Sequence, residues 1–116
     1  MAGGSVPLVD LSCRTVVIGG TATLIVDGEI DMASVPQFHD ALRRLIGDHR
    51  AQTVAVDLDQ ITVLDDVGLG VVLGCAGRAR EQGGDVVIVC TSPRLLQRFA
   101  LSGLDRAVTV RARIAP

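Results

Sequence analysis

Lysine is absent from the 116 residues, as are Tyr and Trp, and Phe occurs only at Phe38 and Phe99. All 11 basic residues are therefore Arg, which removes Schiff-base chemistry, a P-loop lysine and a lysine general base together. So few aromatics leave almost nothing for nucleic-acid bases to stack on. The arginines are scattered and the net charge is −2, so the basic footprint of a nucleic-acid binder is missing as well. Three cysteines, Cys13, Cys75 and Cys90, are odd in number and far apart with no C-x-x-C pair. That pattern argues against a disulfide framework and for a reducing cytoplasm. His39 and His49 stand ten apart, which is no zinc-ligand spacing. The longest low-charge stretch, from Val67 to Gly77, has 11 residues between Asp66 and Arg78, short of the ~20 that cross a bilayer. The start, Met1-Ala2-Gly3-Gly4-Ser5, has neither the basic residues nor the apolar run of a signal peptide. The expectation is a cytoplasmic chain without metal, nucleic acid or membrane insertion.

What remains is aliphatic. Apolar residues make up 48% of the chain, with 17 Val, 13 Leu and 7 Ile, and this length buries one core without staples. The valine excess leans toward strands, and Arg, Ala and Gly in such excess are the usage of a GC-rich, bacterial genome. Residues 1–12 read as a flexible leader or edge segment, and residues 13–116 as one domain. Thr15-Val16-Val17-Ile18 and Thr21-Ala22-Thr23-Leu24-Ile25-Val26 read as strands joined at Gly19-Gly20. An acidic turn, Gly28-Glu29-Ile30-Asp31, follows. Ser34 reads as an N-cap, with Pro36 in the first turn and Gln37 as capping-box partner, and Phe38, Ala41, Leu42, Leu45 and Ile46 recur at helical spacing until Gly47.

Thr53 to Leu58 reads as a central strand covered on both faces, followed by a turn at Asp59-Gln60 and a short segment Ile61-Thr62-Val63-Leu64. A second helix runs from Val67 to Gln82 and stops at Gly83-Gly84. Gly70, Gly74 and Gly77 share one of its stripes. Each costs ~1 kcal/mol against Ala in a helix, so the stripe predicts a backbone packed close to a neighbour. A strand from Asp85 to Cys90, a helix opened by Ser92-Pro93 and a strand from Ala107 to Val110 complete the order β-β-α-β-α-β-α-β. This is an α/β fold, a mixed and mostly parallel sheet of about five strands with three to four helices.

Leu64-Asp65-Asp66-Val67-Gly68-Leu69-Gly70 is a glycine-rich strand-to-helix turn, the kind of place where free amides favour an anion. Here two carboxylates occupy it, and the Lys and Ser/Thr of a P-loop are absent. Asp65 and Asp66 have two readings: an acid/base pair with split pKa values, or a helix cap and dipole partner with one carboxylate exposed beside it. Both acidic turns follow carboxyl ends of strands and so share one edge of the molecule. An acidic, aliphatic edge without nucleophile or histidine dyad suits protein docking better than catalysis, so no enzymatic activity is expected.

Those residues carry a likeness. Gly28-Glu29-Ile30-Asp31, the strand from Val54 to Leu58, the run from Leu64 through Gly74, Gly83-Gly84-Asp85 and Leu101-Ser102-Gly103-Leu104 together resemble the STAS-domain anti-sigma factor antagonists of bacteria. The likeness spans roughly Thr15 to Val110 and implies a STAS-like single domain. It also implies a regulator, without cofactor, that binds an anti-sigma factor, usually a GHKL-type serine kinase, and so releases a sigma factor. In that family a Ser after the Asp of the strand-to-helix turn is the phosphoacceptor. Here Asp65 holds the Asp position and Asp66 stands where the Ser would be, so the switch residue is missing. Asp66 carries −1 against about −1.5 to −2 for phosphoserine. Either it mimics the phosphorylated state or the partner is co-adapted to it. The resemblance places the docking surface at Asp31, Met32, Ala33 and Ser34 with Asp65, Asp66, Val67, Gly68 and Leu69. A redox input through Cys75 and Cys90, a homodimer, a scaffold or accessory subunit of a stress-signalling or lipid-transport complex, and a small ligand- or nucleotide-binding protein are the other readings.

Overall fold

The computed structural model describes residues 11–114. Strands β1 (Leu11–Ile18) and β2 (Thr21–Ile30) form an antiparallel hairpin in which Ile18 pairs with Thr21. Gly19 and Gly20 fill its two-residue loop with φ of 56° and 80°, the pair of positive values a type I′ turn demands. Helix α1 (Val35–Asp48), strand β3 (Thr53–Leu64), helix α2 (Asp66–Glu81), strand β4 (Asp85–Val89), helices α3 (Pro93–Ser102) and α4 (Leu104–Ala107), and strand β5 (Thr109–Arg111) follow. In space the strands keep their chain order, β1-β2-β3-β4-β5, with every pair after the hairpin parallel. Of the leader or edge segment expected at residues 1–12, Leu11 and Ser12 open edge strand β1 and the rest lies outside the described residues.

Right-handed crossovers that always step to the next strand put all their helices on one face of the sheet. Side-chain parity agrees. Leu24, Val26, Val54, Val56, Leu58, Val86 and Ile88 share one core with Phe38, Leu42, Leu45, Leu69, Val72, Leu95 and Phe99 from the helices. Ala55, Val87 and Val89 point the other way and form a separate small cluster capped by Ile114. The central strand expected to be covered on both faces is covered unequally: the helices pack on one face of β3, while Ala55 on the other packs with Val87, Val89 and Ile114.

Two further corrections concern β2 and β3. The turn expected at Asp59-Gln60 is a bulge inside one 12-residue strand. Ile25 pairs with Asp57 but Asp27 with Gln60, and Gly28 pairs with Ile61 but Glu29 with Val63. Each step inserts one extra β3 residue, the signature of a bulge, and the Asp57 carboxylate accepts from the Asp59 amide at 3.0 Å. Opposite it, residues 28–30 belong to β2 and not to a turn, with Gly28 taking φ 115° that other residues avoid.

The glycine stripe of α2 also turns out otherwise. A methyl at Gly70, Gly74 or Gly77 would meet nothing within 4 Å, because the stripe faces outward while Leu69, Val72, Cys75, Ala76 and Ala79 face the core. The close approach lies instead on the core side, at Gly68, where a methyl would sit 2.6 Å from Ile30 Cγ2 and 2.9 Å from Leu64 Cδ1. Gly84 is similarly constrained, its methyl position running into the Gln52 carbonyl oxygen.

Candidate functional site

Ile30 and Leu64 are paired partners at the carboxyl ends of β2 and β3, so the segments that follow them emerge side by side. The Asp65 amide donates to the Ile30 carbonyl at 2.9 Å, tying the second segment to the first. One end of the molecule therefore carries Asp31, Met32, Ala33 and Ser34 beside Asp65, Asp66, Val67, Gly68 and Leu69, the adjacency expected of two carboxyl-end turns.

Within that end the residues divide into presenters and supports. Met32 is 73% exposed, and Ala33, Asp66 and Val67 also face solvent, while Asp31 and Asp65 are half-buried. Ser34, Gly68 and Leu69 are buried. Ser34 holds the expected N-cap position of α1, but its side chain makes no capping bond. Asp31 Oδ1 accepts from the Ala33 and Ser34 amides at 3.0 and 3.1 Å. The Ser34 hydroxyl donates instead to the Glu29 carbonyl at 2.6 Å and accepts from the Asp31 amide at 3.0 Å. Gln37 is no capping-box partner either, for its side-chain amide donates to the Leu11 carbonyl at 3.2 Å and fastens α1 to the edge strand. Three side-chain hydrogen bonds within four residues thus shape the first segment, which leaves Met32 standing out at its tip.

The second segment differs. Asp65 sits at the N-cap with extended backbone, φ −78° and ψ 160°, yet its carboxylate makes no capping bond. Its carbonyl accepts from Gly68 at 2.9 Å and Leu69 at 3.4 Å, so those two amides are not free to cradle a phosphate. Asp66, the first residue of α2, has its Oδ1 2.7 Å from Arg98 Nη2 on α3. Beside it Arg94 Nη2 donates to the Thr62 carbonyl at 3.0 Å. The acidic edge expected from the two Asp residues is balanced here by two guanidinium groups from a distant helix.

Exposed apolar side chains occur at this end and farther along the helices. Val63 and Val67 are each exposed by more than a third, as are Leu73 on α2 and Leu101 on α3, the latter at 82%. Between α2 and the α3–α4 junction runs a shallow cleft of about 130 Å³ with Leu69, Gly70, Leu73, Gly103 and Leu104 in its walls. Arg94, Arg98, Leu73 and Leu101 were outside the surface expected from the sequence. The i, i+4 spacing of Arg94 and Arg98 on one face of α3 was the one signal that could have drawn attention to those two.

Cys75 and Cys90 lie apart from that surface, on the core side of α2 and at the end of β4, and both are 2% exposed. Burial pushes each thiol above the ordinary value, with Arg78 and Arg43 drawing Cys75 part of the way back. Less thiolate means slower thiol chemistry. Among the described residues no group of three or more His, Cys, Asp or Glu could hold a metal ion, and no helix is long and apolar enough to cross a membrane.

Comparison with known proteins adds a family to this geometry. A family model for the STAS domain matches residues 12–115. The chain belongs to the STAS domain family. It is similar to the anti-sigma-B factor antagonist of Bacillus subtilis, 29% identical over 86 residues that cover 74% of this chain and 77% of that one. The anti-sigma-B factor antagonist of Listeria monocytogenes is 27% identical over 88 residues, covering 76% of each chain. Among solved STAS-type folds, an anti-sigma factor antagonist from Mycobacterium paratuberculosis superposes with a TM-score of 0.79 at 22% identity, covering 90% of this chain and 87% of that one. The antagonist SpoIIAA in its unphosphorylated form follows with a TM-score of 0.69 at 20% identity, covering 86% and 88%. These structural likenesses establish the STAS fold, with its five-stranded mixed sheet and four helices.

Proposed function

We propose that this chain is an anti-sigma factor antagonist, a binding protein without catalytic activity of its own. It docks on an anti-sigma factor in the cytoplasm and so frees a sigma factor for transcription. The observation that carries the reading is the paired end of β2 and β3, where two braced segments with outward Met32, Asp66 and Val67 lie side by side on a STAS scaffold. The curated relatives named as anti-sigma-B factor antagonists support it. Two features suit docking better than catalysis: the Gly68 and Leu69 amides of the second turn are taken by the Asp65 carbonyl, and the turn carries exposed aliphatic Val63 and Val67.

The partner that the resemblance implies is a GHKL-type serine kinase. Asp66 occupies the position of that family's phosphoacceptor, so this antagonist is not switched by phosphate there. The test has two arms. Tagged chain is used to capture partners from the source organism, and the bound proteins are identified by mass spectrometry; an anti-sigma factor in stoichiometric amount is the expected result, and its absence overturns the reading. The captured kinase is then incubated with the chain and ATP, and the intact mass is expected to stay unchanged. Phosphate on any residue of the Asp65-Asp66 turn would end the claim that position 66 is unswitched.

A further inference from the structure

Helix α3 reaches the docking end with two arginines one helical turn apart. Arg94 Nη2 donates to the carbonyls of Thr62 at 3.0 Å and Ile61 at 3.4 Å, near the end of β3. Arg98 Nη2 lies 2.7 Å from Asp66 Oδ1. Spacing of i and i+4 puts both on one face of α3, so a single helix face holds the end of β3 and the start of α2. The formal charges of the turn, −1 each on Asp65 and Asp66, meet +1 each on Arg94 and Arg98.

The exposure of the pair is uneven. The Asp66 side chain is 93% exposed and that of Arg98 is 36%, so the carboxylate stands outward with the guanidinium against the protein. So exposed a pair adds little to fold stability in water. Its effect on a partner is larger, because a charge with its counter-ion a few ångströms away acts as a dipole whose field fades faster than that of a lone charge. A docked partner also strips water from the pair and lowers the local dielectric, which strengthens the pairing.

We propose that Arg98 is the internal counter-ion of Asp66, cancelling its charge toward the partner so that position 66 does not imitate a phosphorylated serine. The inference rests on the docking function proposed above and replaces both readings of Asp66 that the sequence left open. The chain is neither a phosphate mimic nor dependent on a partner that supplies its own cation at this point. Arg98 is on this account a positioning and charge-masking residue, acting through Asp66, and the matching partner surface is apolar or neutral opposite Asp66.

Two measurements on the full chain test it. In ¹⁵N-labelled protein, the Arg98 Nε–Hε signal shifts in Asp66→Ala while those of other arginines stay in place; an unmoved Arg98 signal refutes the pairing without any partner. Affinity for the purified anti-sigma factor is then compared for wild type, Asp66→Ala, Arg98→Gln and the double variant. Arg98→Gln weakens binding roughly tenfold, the scale on which an uncompensated interfacial charge acts. The double variant recovers from the Arg98→Gln level to that of Asp66→Ala, which a merely structural Arg98 would not allow. Binding by Asp66→Ala at least about tenfold tighter restores the mimic reading. A double variant as weak as Arg98→Gln means that Arg98 touches the partner itself. Either outcome overturns the inference. Failure of all four proteins to bind overturns the docking function instead, while the signal shift decides the ion pair independently.

Discussion

Replacing Gly68 by Ala separates two effects that usually act together at a helical glycine. In a helix interior Ala is favoured over Gly by about 1 kcal/mol, so propensity alone makes Gly68→Ala stabilising. The new methyl, however, sits 2.6 Å from Ile30 Cγ2 and 2.9 Å from Leu64 Cδ1. Those side chains are 0% and 1% exposed, and Ile is stiff at χ1, so relief requires α2 to lift from the ends of β2 and β3. Overpacking of this kind costs about 1–3 kcal/mol, leaving a net destabilisation of about 1 kcal/mol. Gly70→Ala, Gly74→Ala and Gly77→Ala meet open space and keep the propensity gain, about 3 kcal/mol for the three together. Without Trp or Tyr the readout is far-UV circular dichroism in urea. At a slope of about 2 kcal/mol/M, the expected midpoint shifts are about 0.5 M down for Gly68→Ala and about 1.5 M up for the triple variant. A Gly68→Ala protein at least as stable as wild type, or a triple variant less stable, refutes the packing argument.

Other perturbations have equally definite outcomes. Ser34→Ala deletes the hydroxyl that joins the Glu29 carbonyl to the Asp31 amide in a residue 6% exposed, and costs about 1–2 kcal/mol in urea melts. Gly84→Ala drives a methyl into the Gln52 carbonyl, which also accepts from the Asp85 amide at 3.2 Å. Since backbone yields less than a side chain, the expected loss is about 3 kcal/mol by the same assay. Cys75 and Cys90 hold their protons more tightly folded than unfolded because burial raises both. Their contribution is complete below the unfolded thiol value and is lost as pH climbs past about 9. Urea midpoints at pH 8 and pH 10 should differ more for wild type than for Cys75→Ala/Cys90→Ala, and equal differences would count against it.

How much of this was legible in the sequence depended on the range of the interaction. The hairpin at Gly19-Gly20, the α1 stripe of Phe38, Leu42, Leu45 and Ile46, and the Ser92 cap, whose hydroxyl accepts from the Leu95 amide at 3.5 Å, all rest on neighbours within a few residues. The pairing of the two acidic segments also followed, since parallel strands joined by helices bring their carboxyl ends together. Bulges were not legible, because Asp59-Gln60 has turn composition and only the register against β2 shows it inside a strand. The direction of the α2 glycine stripe was misread for a related reason: small residues suit a close approach or an open surface equally, and the neighbouring element decides. Arg98 lies 32 residues from Asp66, and no local spacing joins them.

The identity of spatial and chain order among the five strands also bears on how the domain assembles. Each parallel strand adds to an edge completed earlier in the chain, so no strand must wait for a later one to be inserted between its neighbours. Loop closures stay short, which favours rapid folding for a mostly parallel sheet. On the ribosome the hairpin can form first and serve as the template on which β3, β4 and finally the three-residue β5 are laid down. The three-residue edge strand β5 is expected to fray first, while β2 and β3, whose carboxyl ends carry the proposed docking segments, lie inside the sheet.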